Sequence, residues 1–306
     1  MRQITYESDY DLTDAVSIAE FLKKHSPLSG RSLRKYFFKG LVYRNGKKVH
    51  SQTLLKPGDH IIVYTLIEND ASLEPEPIPI DIVFEDQNVL IINKPASLAV
   101  HPSGNIKSGT LANAVAYYFA QSGLKTKVRP VNRLDYGTSG LIIFAKSAST
   151  QTLLSEEIKK GRIGRVYYAL VKGVVKDDQG IIDLAINEDN RMRKVSPTGK
   201  NALTQYQTIK RFNDASLLEI HIQTGRTHQI RIHLSAIGHP IYGDSRYGVK
   251  TPLIKRPALH AGKLVFQNSV FKLPELQVKL PEDFQKLIER LAEDTQTSSS
   301  PSKVKV

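Results

Sequence analysis

The sequence predicts an α+β protein in two parts: a small α+β module, then a mixed, largely antiparallel central sheet flanked by helices. Three observations carry this. Residues 68–80, ENDASLEPEPIPI, hold three prolines and four acids with no apolar periodicity, and read as a linker. Beyond it, apolar runs of strand length follow one another through short turns such as Asn213-Asp214 without an intervening helix, which argues against a doubly wound fold. Before it, two short helical patterns lead into a hairpin signal.

The N-terminal elements come first. Residues 16–24 form a helical pattern with Ile18, Phe21 and Leu22 on one face, and residues 32–39 a second with Leu33, Tyr36 and Phe37 spaced to pack on it. In LVYRNGKKV, Asn45-Gly46 is a two-residue hairpin turn, and LLKPGDHIIVY turns into a closing strand. After the linker, strands are expected at 82–84, 89–93, 140–146, 165–174, 181–186, 202–211, 216–223 and 259–266. Helices are expected at 110–121, 148–160, 227–237 and 282–292. The expected divisions are thus 1–67 for the small module, 68–80 for the linker, 81–293 for the main domain, and 294–306, polar and rich in Ser, for a disordered tail.

Composition bounds the class. The 306 residues are 40% hydrophobic and 24% charged, as in a globular chain large enough for a sizeable core. The longest apolar run, 114–120, falls far short of the roughly 20 residues that span a bilayer. The opening MRQITYESDYDLTD lacks the pattern of a secretory signal, so the cytoplasm is the expected compartment. The absence of cysteine excludes disulfides, thiolate metal sites and thiol nucleophiles. Net charge is +13, which suits a polyanionic partner and equally a solubilising surface. Its distribution is more telling, because 23–56 carries ten Lys or Arg and no acid. Arg31, Arg34, Lys35, Arg44, Lys47 and Lys48 fall on the helix and hairpin that the pattern leaves exposed.

Several templates fail. GNIKSGT at 104–110 has Thr where a phosphate-binding loop needs Lys. GTSGL at 137–141 lacks the last Gly of a hydrolase nucleophile elbow, and Ser139 reads as turn chemistry. His228 and His233 are five apart, which places them on different helix faces and excludes a two-histidine zinc pair. No metal site is expected.

The stretch RPVNRLDYGTSGLIIFAK at 129–146 carries more. Val131, Arg133 and Asp135 alternate to one side of an extended segment, and a tight turn at 137–140 precedes an apolar strand. By position alone Asp135 is better explained by turn support than by chemistry. Together with FEDQNVLIINKPASLAVHPSG at 84–104, GRVYYALVKG at 164–173 and TGRTHQIRIHLSAIGHPIYGDSRYG at 224–248, this stretch resembles the pseudouridine synthases of the RluA/RluD family, in the family's order. The resemblance covers nearly all of 80–293. The first module is similar to the S-four-type RNA-binding domain, through GRSLRKYFFKG, the NGKKV hairpin and the LKPGDHI turn.

The resemblance implies isomerisation of uridine in structured RNA on a pseudouridine synthase fold, without a cofactor. It implies that Asp135 is the catalytic aspartate, that Arg133 invades the RNA where the target base leaves, that Tyr167 is the active-site tyrosine, and that Arg226 pairs with the aspartate. Tyr168 beside Tyr167 is equally aromatic, so the pattern alone leaves a core role open. One position departs: the family commonly has His before Arg-Leu-Asp, and here Asn132 stands, which cannot titrate near neutrality. A carboxylate that stays ionised beside uracil can act as nucleophile or base. Attack at the ribose and abstraction of a ribose proton to give a glycal both remain open. The base must be flipped out of its stack, and a guanidinium such as Arg133 can fill the vacancy. Residues 191–211 read as a basic hairpin with Arg191, Arg193, Lys194 and Lys200, expected to close on RNA opposite Asp135. The expected partner is ribosomal or transfer RNA, with no membrane and no obligate protein partner, the chain acting as a monomer. A catalytically silent RNA-binding or ribosome-assembly protein is the alternative. A hydrolase pairing Asp135 with a histidine is more remote, because no histidine stands at a defined spacing from it.

Overall fold

The computed structural model describes residues 2–28, 30–66, 73–187, 189 and 193–299. Four strands, β1 (Arg2–Tyr10), β2 (Val42–Arg44), β3 (Lys47–Lys48) and β4 (Asp59–Leu66), form an antiparallel sheet in the order β1-β4-β2-β3, with helices α1 (Ile18–His25) and α2 (Gly30–Phe38) upon it. Ser17 starts α1 with a reciprocal cap, its hydroxyl accepting from Glu20 N and its own N–H donating to the Glu20 carboxylate. Asn45 and Gly46 take positive φ, +50° and +77°, as a two-residue hairpin requires. Tyr10, Ile18, Phe21, Leu22, Leu33, Tyr36, Ile61 and Val63 lie in one apolar cluster, separate from the clusters of the larger sheet. Strand β1 was not expected; it pairs with β4 from Arg2↔Leu66 to Tyr10↔Asp59.

The strands that follow are β5 (Ile82–Glu85), β6 (Val89–Lys94), β7 (Arg129–Pro130), β8 (Ser139–Ala145), β9 (Ile163–Lys172), β10 (Gln179–Asp183), β11 (Ile186–Asn187), β12 (Lys194–Val195), β13 (Leu203–Arg211), β14 (Ala215–Ile222), β15 (Leu259–Phe266) and β16 (Leu276–Gln277), and all but β11 and β12 form a second sheet. Its main path is β10-β13-β14-β9-β15-β8-β6-β5, with β16 on β15 and β7 on β8, while β11 and β12 pair apart from it. Helices α3 (Leu111–Gln121), α4 (Ala148–Lys159), α5 (Gln229–Ala236) and α6 (Glu282–Ser299) complete it. This is the mixed, largely antiparallel α+β architecture that the sequence predicts. Alternation sorts β6 between two cores: Leu90 and Ile92 face the cluster containing α3 residues Leu111 and Val115, and Val89 and Ile91 face that containing α4 residue Leu154. Both faces are dry, which is why β6 and β8 read as unbroken apolar runs.

One pairing positions the site. Among the described strands, β8 and β15 alone run parallel, with His260↔Ser139 and Ala261↔Gly140, and β15 pairs antiparallel with β9, placing Ala261 beside Tyr167. The turn after Asp135 and the middle of β9 therefore meet at one level of the central sheet.

Over 294–299 the tail differs from expectation, and 300–306 lie outside the described residues. Helix α6 runs to Ser299 rather than ending near 292. Asn213, in the β13–β14 turn, donates its side-chain amide to Asp294 O (3.0 Å) and its N–H to Thr295 Oγ1 (3.2 Å), tying the extra turns to the domain. Among the described residues no helix is long and apolar enough to cross a membrane.

Candidate active site

The site grows from the extended segment after β7. Asn132 and Leu134 point inward, Arg133 outward, and Asp135 lies half-buried at the end. Asn132 accepts from Ile143 N at 2.8 Å and donates to Leu141 O at 3.4 Å, so its amide fastens the segment to β8. That is a backbone-bridging task suited to an amide, which offers both donor and acceptor. Asp135 then opens a turn closed by Thr138 N donating to Asp135 O at 3.0 Å. Gly137 sits there at φ +86°, its N–H donating to Ala96 O. Gly140 is required by close approach: a Cβ on it would stand 2.2 Å from Ala261 O, so only glycine lets β8 reach β15 here.

A buried lysine supports the turn from behind. Lys94 is fully buried and donates from Nζ to Pro95 O (2.9 Å) and Leu98 O (2.8 Å), fixing the loop that carries Ala96. Burial pushes its ammonium down to about 7, with the Arg256 charge adding to this and Asp135 opposing it.

The partner of Asp135 is Arg231. Its Nη1 donates to Asp135 Oδ2 at 3.4 Å, while Nε and Nη2 donate to Asp244 Oδ2 and Oδ1 at 2.6 and 2.8 Å. Burial works to lower the Arg231 pKa, but the hydrogen bonds and charge of Asp244, then Asp135, outweigh it and raise it. Burial likewise disfavours the Asp244 carboxylate, yet Arg231 and the N–H groups of Arg246 and Tyr247 hold its pKa below the usual carboxylate value. The ring of Tyr247 lies against both Arg231 (5.1 Å) and Arg246 (5.3 Å).

Helix α5 delivers Arg231 in its first turn. Gln229 anchors the preceding loop, accepting from Arg226 N (3.0 Å) and Thr224 Oγ1 (2.8 Å) while donating to Leu203 O and Thr204 Oγ1 on β13. His228 takes the left-handed conformation, φ +60°, before the helix begins. Its Nδ1 is 3.0 Å from Tyr247 Oη and its Nε2 3.8 Å from Asp135 Oδ2. Burial pushes its pKa down to about 4; Asp135 opposes this, and Arg231, Arg193 and Arg246 reinforce it. At neutral pH it is an uncharged neighbour of Asp135, leaving Arg231 as the counter-charge.

Tyr167 is 4% exposed and lines the same cleft, of about 680 Å³, as Asp135, Arg133, Arg226 and Arg231. Burial raises its phenol pKa, with Arg165 opposing and Asp135 adding. Strand alternation separates it from Tyr168, which turns to the other face against Gly262 and Glu219.

Arg226 does not take the place expected for it. It sits on the cleft wall with Nε donating to Asn201 O at 3.0 Å, and among the described residues it forms no ion pair with Asp135. The reason is the start of α5: the loop through 224–228 is folded onto β13 by Gln229, so the arginine in the first helical turn, not the one before it, reaches the carboxylate. Arg231 is in the sequence motif TGRTHQIR, but no spacing rule links it to Asp135. Asp244, Lys94 and His228 were likewise in view without a role.

The RNA-facing candidates are spread. Arg133 is exposed at the cleft, Arg34, Lys35, Lys47 and Lys48 are exposed on α2 and the hairpin, and Lys194 is exposed on β12. Arg193 is near enough for its charge to act on His228. Arg44 is engaged internally, donating to Leu54 O (2.7 Å) and Asp59 Oδ2 (3.4 Å). Arg191 and the side chain of Arg31 lie outside the described residues. Among the described residues no three His, Asp, Glu or Cys side chains gather as a metal site requires.

Comparison with known proteins places this geometry. The sequence model of the RNA pseudouridylate synthase family matches residues 88–236. An uncharacterized RNA pseudouridine synthase of Bacillus subtilis is 40% identical over 225 residues, 72% of this chain and 74% of that one. The ribosomal large subunit pseudouridine synthase D of Pasteurella multocida is 34% identical over 317 residues, 97% of this chain and 98% of that one. In structure, human RNA pseudouridylate synthase domain containing 4 superposes with a TM-score of 0.58 at 24% identity, over 69% of this chain and 92% of that one, a likeness of fold. The chain, with a pocketed aspartate and arginine on that fold, belongs to the RNA pseudouridine synthase family.

Proposed function

We propose that this enzyme isomerises particular uridines of structured RNA to pseudouridine with Asp135 as its catalytic carboxylate. The observation that carries the reading is a half-buried carboxylate at the end of a rigid turn, beside a buried tyrosine and faced by a guanidinium that a second buried carboxylate holds in place. The target base leaves its helix and enters the cleft, where Tyr167 stacks on it, while Arg133 follows from the exposed side into the vacated stack. Asp135 acts at the ribose as the glycosidic bond breaks, and Arg231 orients it through a charge-assisted hydrogen bond. Asn132 takes no part in proton transfer.

Large-subunit ribosomal RNA is the first substrate to test, because the relative from Pasteurella multocida that aligns almost end to end is named for it; transfer RNA is second. The N-terminal module is an RNA-binding domain of S-four type. Its exposed Arg34, Lys35, Lys47 and Lys48 meet phosphates, and Phe38, 92% exposed at the end of α2, offers a ring for base stacking. The enzyme works as a cytoplasmic monomer, and the assembled site argues against a silent RNA-binding role. Mapping pseudouridine across ribosomal and transfer RNA from cells lacking the protein tests this. Sites that disappear and return with the parental gene identify the substrate; an unchanged map contradicts the assignment.

A further inference from the structure

Arg165 stands in the same cleft, walled in by protein. It lies on β9 two residues before Tyr167, so the pleat sends both side chains to one face, and both line the cleft around Asp135. The residue is 8% exposed, and its Nε is buried without a hydrogen-bond partner among the described residues. Gly225 passes close by: a Cβ there would lie 3.4 Å from Arg165 Nη1, so the loop before α5 closes over the guanidinium. The two carboxylates nearest the chemistry, Asp135 and Asp244, are both engaged by Arg231.

A guanidinium is always charged and carries five donors, and burying it without an acceptor is costly unless a ligand supplies one. We infer that Arg165 is a catalytic residue whose acceptor is the uracil of the substrate, its donors meeting a carbonyl oxygen of the base as the glycosidic bond breaks. This rests on the reading of the Asp135 cleft as the active site. When the C1′–N1 bond breaks, its electron pair goes to the uracil and spreads over N1, O2 and O4. The ribose C1′ is meanwhile bonded to the Asp135 carboxylate, or relieved by loss of the C2′ proton. The ring then turns and C5 bonds to C1′ as the C1′–carboxylate bond breaks or the proton returns to C2′; the C5 proton departs to a base and N1 gains a proton from solvent. Between the two bonds the uracil is an anion in the cleft, beside a tyrosine that burial keeps neutral. A fixed cation there stabilises a species that exists only after cleavage, and so raises the rate more than the affinity. Phosphates are the competing acceptor, but they run along the surface where Arg133 is exposed, whereas Arg165 is nine-tenths buried.

The test uses the full chain and bulk RNA from cells lacking the protein, labelled with tritium at uridine C5, so that product formation releases tritium. In single turnover at saturating enzyme, Arg165→Met should slow release about 100-fold or more, with RNA affinity and melting temperature unchanged. Arg165→Lys should recover roughly tenfold of that loss, and guanidinium ion at tens of millimolar should speed Arg165→Ala but not the parent. Should the Met variant not fold, a folded Lys variant at the parental rate overturns the inference. It is also overturned if the Met variant keeps the parental rate at saturation and loses only affinity, as a phosphate contact would. A rate that falls with melting temperature, unrescued by Lys or guanidinium, shows a structural cation instead. Asp135→Asn runs alongside: if it is active the underlying reading fails, and if it is dead while Arg165→Met is fully active only the Arg165 inference fails.

Discussion

Asp244 holds Arg231 through two hydrogen bonds, Nε to Oδ2 at 2.6 Å and Nη2 to Oδ1 at 2.8 Å, and leaves the remaining nitrogen to face Asp135. The pair is almost dry, Asp244 fully buried and the Arg231 side chain 9% exposed. A planar fork gripped along one edge cannot swing, so the charge opposite Asp135 is fixed in direction as well as sign.

Replacing Arg231 by Lys keeps the charge and loses the fork. The rate at saturating RNA should fall by about 100-fold, and Arg226→Gln, whose side chain reaches Asn201 O instead, should cost less than about tenfold in rate. Single-turnover kinetics on the same RNA compares them. A larger rate loss for Arg226→Gln would reinstate it as the partner of the aspartate.

Asp244→Asn leaves Arg231 buried with one carboxylate fewer. Breaking a buried pair in this way costs about 3–5 kcal/mol, so urea unfolding should show a loss of that order together with slowed isomerisation. A variant within about 1 kcal/mol of the parent would mean that the clamp is not what holds the guanidinium.

His260 gives a pH dependence with a definite sign. It is fully buried, its Nδ1 2.9 Å from Ser139 Oγ, and burial, helped by the Arg256 charge, pushes its pKa from the ordinary 6.5 down to about 4. Between those values the unfolded chain binds a proton that the folded chain refuses, so stability is complete above about 6.5 and is lost as pH falls toward 4. The loss attributable to this residue is on the order of 3 kcal/mol. Denaturant melts from pH 7 to pH 4 should steepen accordingly, and His260→Gln should flatten that slope. An equal slope in the variant contradicts the assignment.

The basic face of the N-terminal module is tested in the full chain by neutralising Arg34, Lys35, Lys47 and Lys48 to Gln. Each phosphate contact adds about 0.7–0.9 to the slope of log affinity against log salt, so the slope should drop by roughly 3 while the rate at saturation stays parental. Arg44 is left intact because it holds Asp59. A parental slope would show that RNA does not lie on this face.

The strands of the large sheet were legible because their two faces are buried and their apolar runs are bounded by turns. Strand β1 was not, since it is an edge strand with only Tyr10 of its described side chains fully buried, and Ile4 is 47% exposed. Asp135 and Tyr167 were found through motifs, and alternation along β9 separated Tyr167 from Tyr168 once the sheet was assembled. Arg231 and Asp244 were out of reach for a different reason. Their contact with the Asp135 turn depends on where α5 starts and on strands remote in sequence, β8 and β15, lying parallel, neither of which has a local signature. Arg165 lay inside GRVYYALVKG in plain view, but alternation tells only which face it shares, not that the face is a cleft. The last turns of α6 rest on Asn213, more than 80 residues away, and composition alone pointed the other way.

Asp135→Asn is the sharpest probe of the chemistry proposed for Asp135, because the amide keeps the size and removes the charge. Tritium release from C5-labelled RNA of cells lacking the protein should be abolished, with RNA affinity within about twofold of the parent and an unchanged fold. Release by the Asn variant at anything near the parental rate would contradict the account.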